Sequence, residues 1–287
     1  MPELPEVETI ANGVHARVAG RRLLSVWTSG KPQTFKTPEP AIVAALTNAR
    51  IQSVRRVGKT IVMTLDPAAN SRKPAPHPTE FLIHLGMTGR LLVSTPGTPI
   101  PSHTHAILTL DNQSELRFVD PRRFGRLSLH TPPSLTTHHS PPTTSYTGPG
   151  REPLTIPLTD FIALFRNRHT PIKAALLNQS LLHGVGNIYA DEALFLAGIR
   201  PRRQAARLTR AELTRLRAAL IKVLRHAIKL GGSSVSGYVD ADGVRGFFQL
   251  RHKVYQRTGQ PCLVCGTPIQ RITLAGRSTH FCPTCQR

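Results

Sequence analysis

The chain is 287 residues long and carries 37 Lys+Arg against 16 Asp+Glu, a formal net charge of +21. Its 39% hydrophobic content supports real cores and excludes a disordered basic tail, while no apolar run approaches the roughly 18 to 20 residues of a membrane span. The length suggests two domains with a small appendage, and the charge suits a polyanionic partner.

Residues 5–19 read as a helix, because Val7, Ile10, Ala11, Val14 and Val18 form one apolar stripe and Gly20 is a natural stop. From 21 to about 130 the pattern changes to short strand-like runs at 23–27, 61–65, 81–85, 106–110, 115–119 and 126–129. Turn residues separate them, which points to an antiparallel sandwich or barrel. Residues 70–78 read as an inserted surface loop, and the Pro- and Thr-rich stretch 131–155 as an interdomain linker. Helices are then expected at 159–168, at 171–180 with Pro171 in its first turn, at 187–197 ended by Gly198, and at about 210–230. Thr209 and Glu212 have the spacing of a capping box for the last of these. Its buried face would be Leu213, Leu216, Leu220, Val223, Leu224 and Ala227. The Gly- and Ser-rich segment 231–246 reads as a mobile loop.

The charge is uneven. Residues 200–287 hold 17 Lys+Arg and 3 acids, or +14, against +7 for residues 1–199. One lobe is thus expected to grip phosphates while the other does something further. The four cysteines fall in the last forty residues, as Cys262-x2-Cys265 and Cys282-x2-Cys285. Two thiolate pairs on tight turns at the ends of a hairpin make a tetrahedral four-cysteine zinc site. Disulfides are the alternative, disfavoured because the N-terminus lacks the basic and apolar regions of a secretory signal. Zinc would fold a segment too small for its own core and present Arg271 and Arg277.

The opening Met-Pro-Glu-Leu-Pro-Glu matters for what loss of Met1 exposes. Pro2 would then carry a free secondary amine, and an α-amine has a pKa near 8 against about 10.4 for lysine. A following helix N-terminus depresses it further. Such an amine can attack a sugar C1′ and form an iminium, an electron sink for elimination. Alone this is a weak sign, since Pro is also a good helix starter.

Taken together, MPELPEVET, RRVGKTIVMTL (55–65), IHLGMTGRL (83–91), VDPRRFGRL (119–127), IKAALLNQ (172–179), GVGNIYADEALFLAGI (184–199), VDADGVRGFF (239–248) and the cysteine hairpin resemble the formamidopyrimidine-DNA glycosylases. The blocks occur in that family's order over essentially the whole chain. The resemblance implies an α+β multidomain protein. An N-terminal helix and β-sandwich would span 1–130 and a linker 131–155. A helical helix–two-turns–helix domain with a base-capping loop would span 156–245, and a zinc hairpin 246–287. It implies a DNA-repair enzyme, both glycosylase and abasic-site lyase, that removes oxidised purines through a Pro2 Schiff base followed by β,δ-elimination.

By the same resemblance Glu3 would protonate the sugar ring oxygen, Lys59 would donate a proton during β-elimination, and Arg277 would pin a phosphate and assist δ-elimination. Glu6 would be a supporting carboxylate. Met87, Arg122 and Phe124 would fill the gap left by the everted base. His84, His103, Arg168, Lys173, Asn187 and Tyr255 match backbone-contact positions. The Gly184-Val185-Gly186 turn and the helix start at Asn187 would hold phosphates. One structural zinc with four cysteine ligands, a duplex partner with oxidised bases or abasic sites, a monomer, and a cytoplasmic, nucleoid-associated location complete the implied picture. Three positions depart from the family pattern: Gly237 where an acid is expected, Gln256 where Gly is common, and His183 where a small or apolar residue is usual. Two other readings stay open: an oxidised-pyrimidine glycosylase of the endonuclease VIII type, and a non-catalytic zinc-dependent nucleic-acid-binding protein.

Overall fold

The stripe of Val7, Ile10, Ala11, Val14 and Val18 lies on helix α1 (Leu4–Val18) and is at most 1% exposed, so the 3.6-residue period is spent on one buried face. A computed structural model describes residues 1–66, 79–130, 145–235 and 237–287. The loop expected at 70–78 and most of the expected linker lie outside the described residues. The chain divides into two compact units. Unit 1 comprises Met1–Pro2, Glu6–Thr147 and Ser234–Gly246, and unit 2 comprises Glu3–Pro5, Gly148–Ser233 and Phe247–Arg287.

Among the described residues, unit 1 has eight strands: β1 (Leu23–Thr28), β2 (Arg50–Val57), β3 (Thr60–Asp66), β4 (Thr79–His84), β5 (Arg90–Ser94), β6 (Thr104–Leu110), β7 (Glu115–Val119) and β8 (Arg126–His130). They form two antiparallel sheets ordered β1-β6-β7-β5 and β2-β3-β4-β8. Leu108, Leu116 and Phe118 of the first share one core with Ile61, Met63, Phe81 and Ile83 of the second and with α1, which makes the unit a sandwich closed by a helix. Three elements escape the sequence pattern. Strand β2 has a register shift between Ile51 and Ser53 that breaks its alternation. Strand β5 has only five residues, and α2 (Glu39–Leu46) opens on Pro38 and Pro40.

The described residues of segment 231–246, expected as a mobile loop, include two that pack into the core of unit 1. Tyr238 and Ala241 are 7% and 1% exposed within the core of unit 1, and Val93 N donates to Ala241 O at 2.9 Å. Burial of one aromatic ring and one methyl group anchors the segment in spite of its glycines. The far end of the linker is anchored as well: Tyr146 N and Ser145 Oγ donate to Glu80, a carboxylate 2% exposed on β4.

Unit 2 is helical: α3 (Leu158–Phe165), α4 (Ile172–Leu177), α5 (Asn187–Ala197) and α6 (Arg210–Lys229), with the hairpin β9 (Gln270–Leu274) and β10 (Arg277–Phe281) at its end. Helix α4 stops three residues before the expected 180, because Asn178 Oδ1 takes Ser180 N and Oγ into a side-chain-closed turn. Helix α3 likewise ends at Phe165, followed by Asn167 at φ 59°. Helix α5 ends on Gly198 at φ 69°, and α6 carries both hydrogen bonds of the capping box. All six residues expected on its inner face are buried.

Candidate active site and nucleic-acid interface

In unit 1, Pro2 is buried and lines a pocket of about 90 Å³ with Met87, Thr88, Gly89, Arg90, Pro121, Gly237 and Tyr238. Tyr238 Oη donates to Glu6 O at 3.3 Å, and burial, reinforced by the Glu6 carboxylate, pushes the phenol well above its ordinary pKa. Tyr238 is therefore a neutral donor at any working pH. Gly237 has φ 77°, a conformation glycine adopts without cost, and an acidic side chain there would be strained.

Lys59 does not line this pocket. It occupies the two-residue turn between β2 and β3, where Gly58 has φ 61° as a type II′ hairpin requires. Its neighbour His84 is kept below the ordinary histidine pKa, first by burial and then by the Lys59 and Arg126 charges. His84 Nδ1 accepts from Gly86 N at 3.1 Å, so a neutral ring carries its proton on Nε2.

The three expected gap-fillers are on the surface of unit 1. Met87 is 40% and Phe124 51% exposed, and the Arg122 guanidinium lies 4.8 Å over the Phe124 ring. Exposure of this size contradicts an ordinary core role for either apolar residue. His103 is exposed at φ 63°, with its carbonyl accepting from Asp120 N.

In unit 2, Glu3 is 5% exposed and its Oε1 accepts from Ile188 N at 3.2 Å, at the start of α5. A Cβ at Gly186 would lie 2.1 Å from the Glu3 carboxyl carbon, so this approach requires glycine. The Gly184–Gly186 turn leads into a helix N-terminus, and the Glu3 carboxyl group sits against its first turn. Gly184 N is engaged too, donating to Gln179 Oε1.

The Lys173 side chain lies inside unit 2. It is fully buried, not a surface cation: Nζ lies 2.6 Å from Asp191 Oδ1 and donates to Ser278 O at 2.7 Å and Thr279 Oγ1 at 2.9 Å. Burial lowers its pKa while Asp191 pulls it back up. Asn187 Nδ2 also donates to Ser278 O. Asp191 Oδ2 accepts from His280 N at 2.9 Å and lies 3.2 Å from His280 Nδ1, and the His280 ring meets Tyr255 edge-on at 5.1 Å between centroids. Lys173, Asn187, Asp191 and Tyr255 thus all grip residues 278–280, next to the exposed Arg277. Arg277 opens β10 after an Ala275-Gly276 turn with φ 48° and 71°. Arg168 is exposed, with Nε on Leu164 O.

Glu192 is a further carboxylate of unit 2, with no local sign of its role in the sequence. Buried, and with its pKa raised mainly by that burial, it accepts from the N–H groups of Lys253, Val254 and Tyr255 and so places Tyr255. His183 is buried with Nε2 3.3 Å from Glu152. Gln256 has φ 58°, the left-handed region, which explains why glycine suits this position.

The four cysteine Sγ atoms lie within 4.8 Å of one another, with Cys262–Cys285 at 3.9 Å and Cys265–Cys282 at 3.4 Å, and none is in a disulfide. Zinc–sulfur bonds of about 2.3 Å in a tetrahedron place sulfurs roughly 3.8 Å apart. Val264 N and Cys285 N point at Cys262 Sγ and Cys282 Sγ, the donors a thiolate pair needs. The site fits one structural zinc with Cys262, Cys265, Cys282 and Cys285 as ligands.

Comparison with known proteins places this architecture among the DNA glycosylases that carry a zinc hairpin. Models described as the formamidopyrimidine-DNA glycosylase N-terminal domain, the formamidopyrimidine-DNA glycosylase H2TH domain and the zinc finger found in FPG and IleRS match residues 1–127, 149–239 and 259–287. The formamidopyrimidine-DNA glycosylase of Solibacter usitatus is 43% identical over 288 residues, and that of Listeria monocytogenes 38% over 289, with both chains covered in full. A Lactococcus lactis Fpg mutant in complex with Fapy-dG-containing DNA matches over both full chains at 32% identity and a TM-score of 0.84. The Lactococcus lactis Fpg complex with abasic-site DNA matches over 99% of both chains at 32% identity and a TM-score of 0.83. The chain belongs to the formamidopyrimidine-DNA glycosylase family.

Proposed function

We propose that this chain is a bifunctional DNA glycosylase and abasic-site lyase acting on oxidised purines, 8-oxoguanine and formamidopyrimidines, in duplex DNA. The observation that carries the reading is Pro2 itself, buried at a pocket whose other walls are Met87, Arg90 and a permanently neutral Tyr238. With Met1 removed, the Pro2 amine attacks C1′, the glycosidic bond breaks and the base leaves, and Pro2, having shed its N–H proton, is bonded to C1′; breaking of the C1′–O4′ bond then turns this bond into an iminium. Glu3 supplies the proton that opens the sugar ring. Lys59 serves the β-elimination, and Arg277 pins the phosphate lost in the δ-elimination. Eversion of the base is assisted by Met87, Arg122 and Phe124, whose mix of apolar and cationic groups suits insertion between base steps. His84, with a hydrogen available on Nε2, and the exposed His103 and Arg168 contact the DNA backbone. Asn187, Tyr255 and the buried Lys173 support that contact through residues 278–280.

Borohydride trapping on an 8-oxoguanine duplex tests the chemistry. The expected result is a covalent protein–DNA adduct that disappears when the N-terminus is acetylated. Normal DNA binding without an adduct would leave the non-catalytic reading standing. A second substrate class is worth measuring because a related Lactococcus lactis Fpg structure contains DNA with an oxidised pyrimidine. Excision from 8-oxoguanine duplexes is expected to exceed excision from dihydrothymine duplexes. The proposed acting form is a cytoplasmic, nucleoid-associated monomer, checked by sedimentation with and without DNA. No helix among the described residues is long and apolar enough to cross a membrane.

A further inference from the structure

Asp120 has no solvent exposure and makes no ion pair among the described residues, yet its carboxylate is fully used. Oδ1 accepts from Thr88 Oγ1 at 2.6 Å and from Arg122 N at 3.3 Å, and Oδ2 accepts from Gly125 N at 2.7 Å. Its main chain is tied down as well. Asp120 N donates to His103 O, and His105 Nε2 donates to Asp120 O, both at 3.0 Å. One buried anion therefore joins the turn that carries Met87 to the turn that carries Arg122 and Phe124. The two turns also touch backbone to backbone, since a Cβ at Gly86 would lie 2.4 Å from the Phe124 carbonyl carbon.

We propose that Asp120, acting through the Thr88 hydroxyl, is the positioning residue that sets Met87 against Arg122 and Phe124 and so fixes the wedge for base eversion. Only a carboxylate meets the geometry. Three donors converge on two oxygens, and an asparagine amide would put an N–H against the Gly125 N–H or against the Thr88 and Arg122 donors. A charged acceptor also gives shorter and stronger bonds than a neutral one, which suits turns whose side chains must stay exposed. The inference rests on the proposed glycosylase reading, and it separates two steps of it. Eversion of a paired base needs the wedge in place, whereas an abasic sugar has no base left to extract.

The test compares Thr88→Val, which removes the hydroxyl donor at nearly constant shape, with Thr88→Ser, which keeps it. Single-turnover excision from an 8-oxoguanine duplex is measured beside strand cleavage at a preformed abasic site, with 2-aminopurine fluorescence next to the lesion reporting unstacking. In Thr88→Val, excision is expected to fall about tenfold more than abasic cleavage does, the loss of one hydrogen bond to a charged group. The fluorescence amplitude should fall with it, and Thr88→Ser should stay near the parent in both. Asp120→Asn should show the same split to a larger degree if it folds. Equal losses in both reactions would make the bond merely structural, and no loss in either would remove it from the mechanism; each overturns the inference. A parent chain that unstacks the lesion without excising it would sink the proposed activity instead, and the fluorescence of Thr88→Val would still decide the role of Asp120.

Discussion

Asp120 and Asp191 are both fully buried, one in each unit, and their partners differ in kind. Asp120 is satisfied by a hydroxyl and two peptide N–H groups, all neutral. Asp191 faces the Lys173 ammonium as well as the His280 backbone and ring. A carboxylate held by neutral donors organises a turn and can be weakened one bond at a time. A carboxylate paired with a buried cation cannot be altered without stranding a charge, so the hairpin grip is the more brittle of the two. The metal reinforces this asymmetry, because all four zinc ligands belong to unit 2.

Chelation should therefore give the largest and most one-sided effect. Withdrawal of zinc is expected to melt the hairpin and release one metal ion per chain, while NMR signals from the β-sandwich persist. Structural zinc sites of this type bind with apparent free energies of about 10–16 kcal/mol. Simultaneous loss of sandwich signals would break the contrast between the units.

Next comes Asp191→Asn, expected to destabilise unit 2 by about 3 kcal/mol in urea unfolding because Lys173 loses its counter-charge. Adding Lys173→Met should recover most of that loss. Asp120→Asn, with no cation to strand, should cost about 1–3 kcal/mol. If Lys173→Met rescues nothing, the distinction between neutral and ionic clamping fails.

Acid should act on unit 2 in two windows. Burial holds His252 at about 4, against 6.5 for an ordinary histidine. Below pH 6.5 the unfolded chain gains a proton that the folded ring refuses until about pH 4, so stability falls with falling pH across that interval, by at most about 1.4 kcal/mol per unit. His252→Gln should flatten this part of the curve. Glu212 is held at about 2 by the hydrogen bond from Arg203, against some opposing burial, with Thr209 adding to the shift. Its contribution is fully present above about pH 4.5 and is lost as the pH falls from there through about 2.

The smallest effect concerns Gln256. Gln256→Gly removes a left-handed conformation that costs a side chain roughly 1 kcal/mol and should raise the melting temperature slightly. A fall would mean that the Gln256 side chain contributes contacts that outweigh the strain.

Local signals were legible in the sequence where they reinforced one another. Helix α5 has the expected bounds because a Gly turn opens it and Gly198 closes it, and α6 because periodicity and capping box agree. Strand β2 was not legible, since its bulge at Ile51/Ser53 defeats a two-residue period. The MPELPE opening marks Pro2 and Glu3, whereas the burial of Lys173 has no local sign in the sequence. Nothing local shows that an ammonium will be consumed by partners 105 and 106 residues away. Asp120 could be read as a turn former before Pro121, but the convergence of residues 88, 122 and 125 on it is a product of the tertiary fold.

The seat of Glu3 on α5 also bears on how the protein is handled at the bench. A purification tag joined ahead of Pro2 would leave that carboxylate free to dock beside Gly186. The four zinc ligands, in unit 2, would be untouched by it. The tagged chain would nevertheless lack the free amine on which the proposed chemistry depends. Under the proposed mechanism such a preparation would bind DNA without turnover, so tags on this chain need to be removable to the residue.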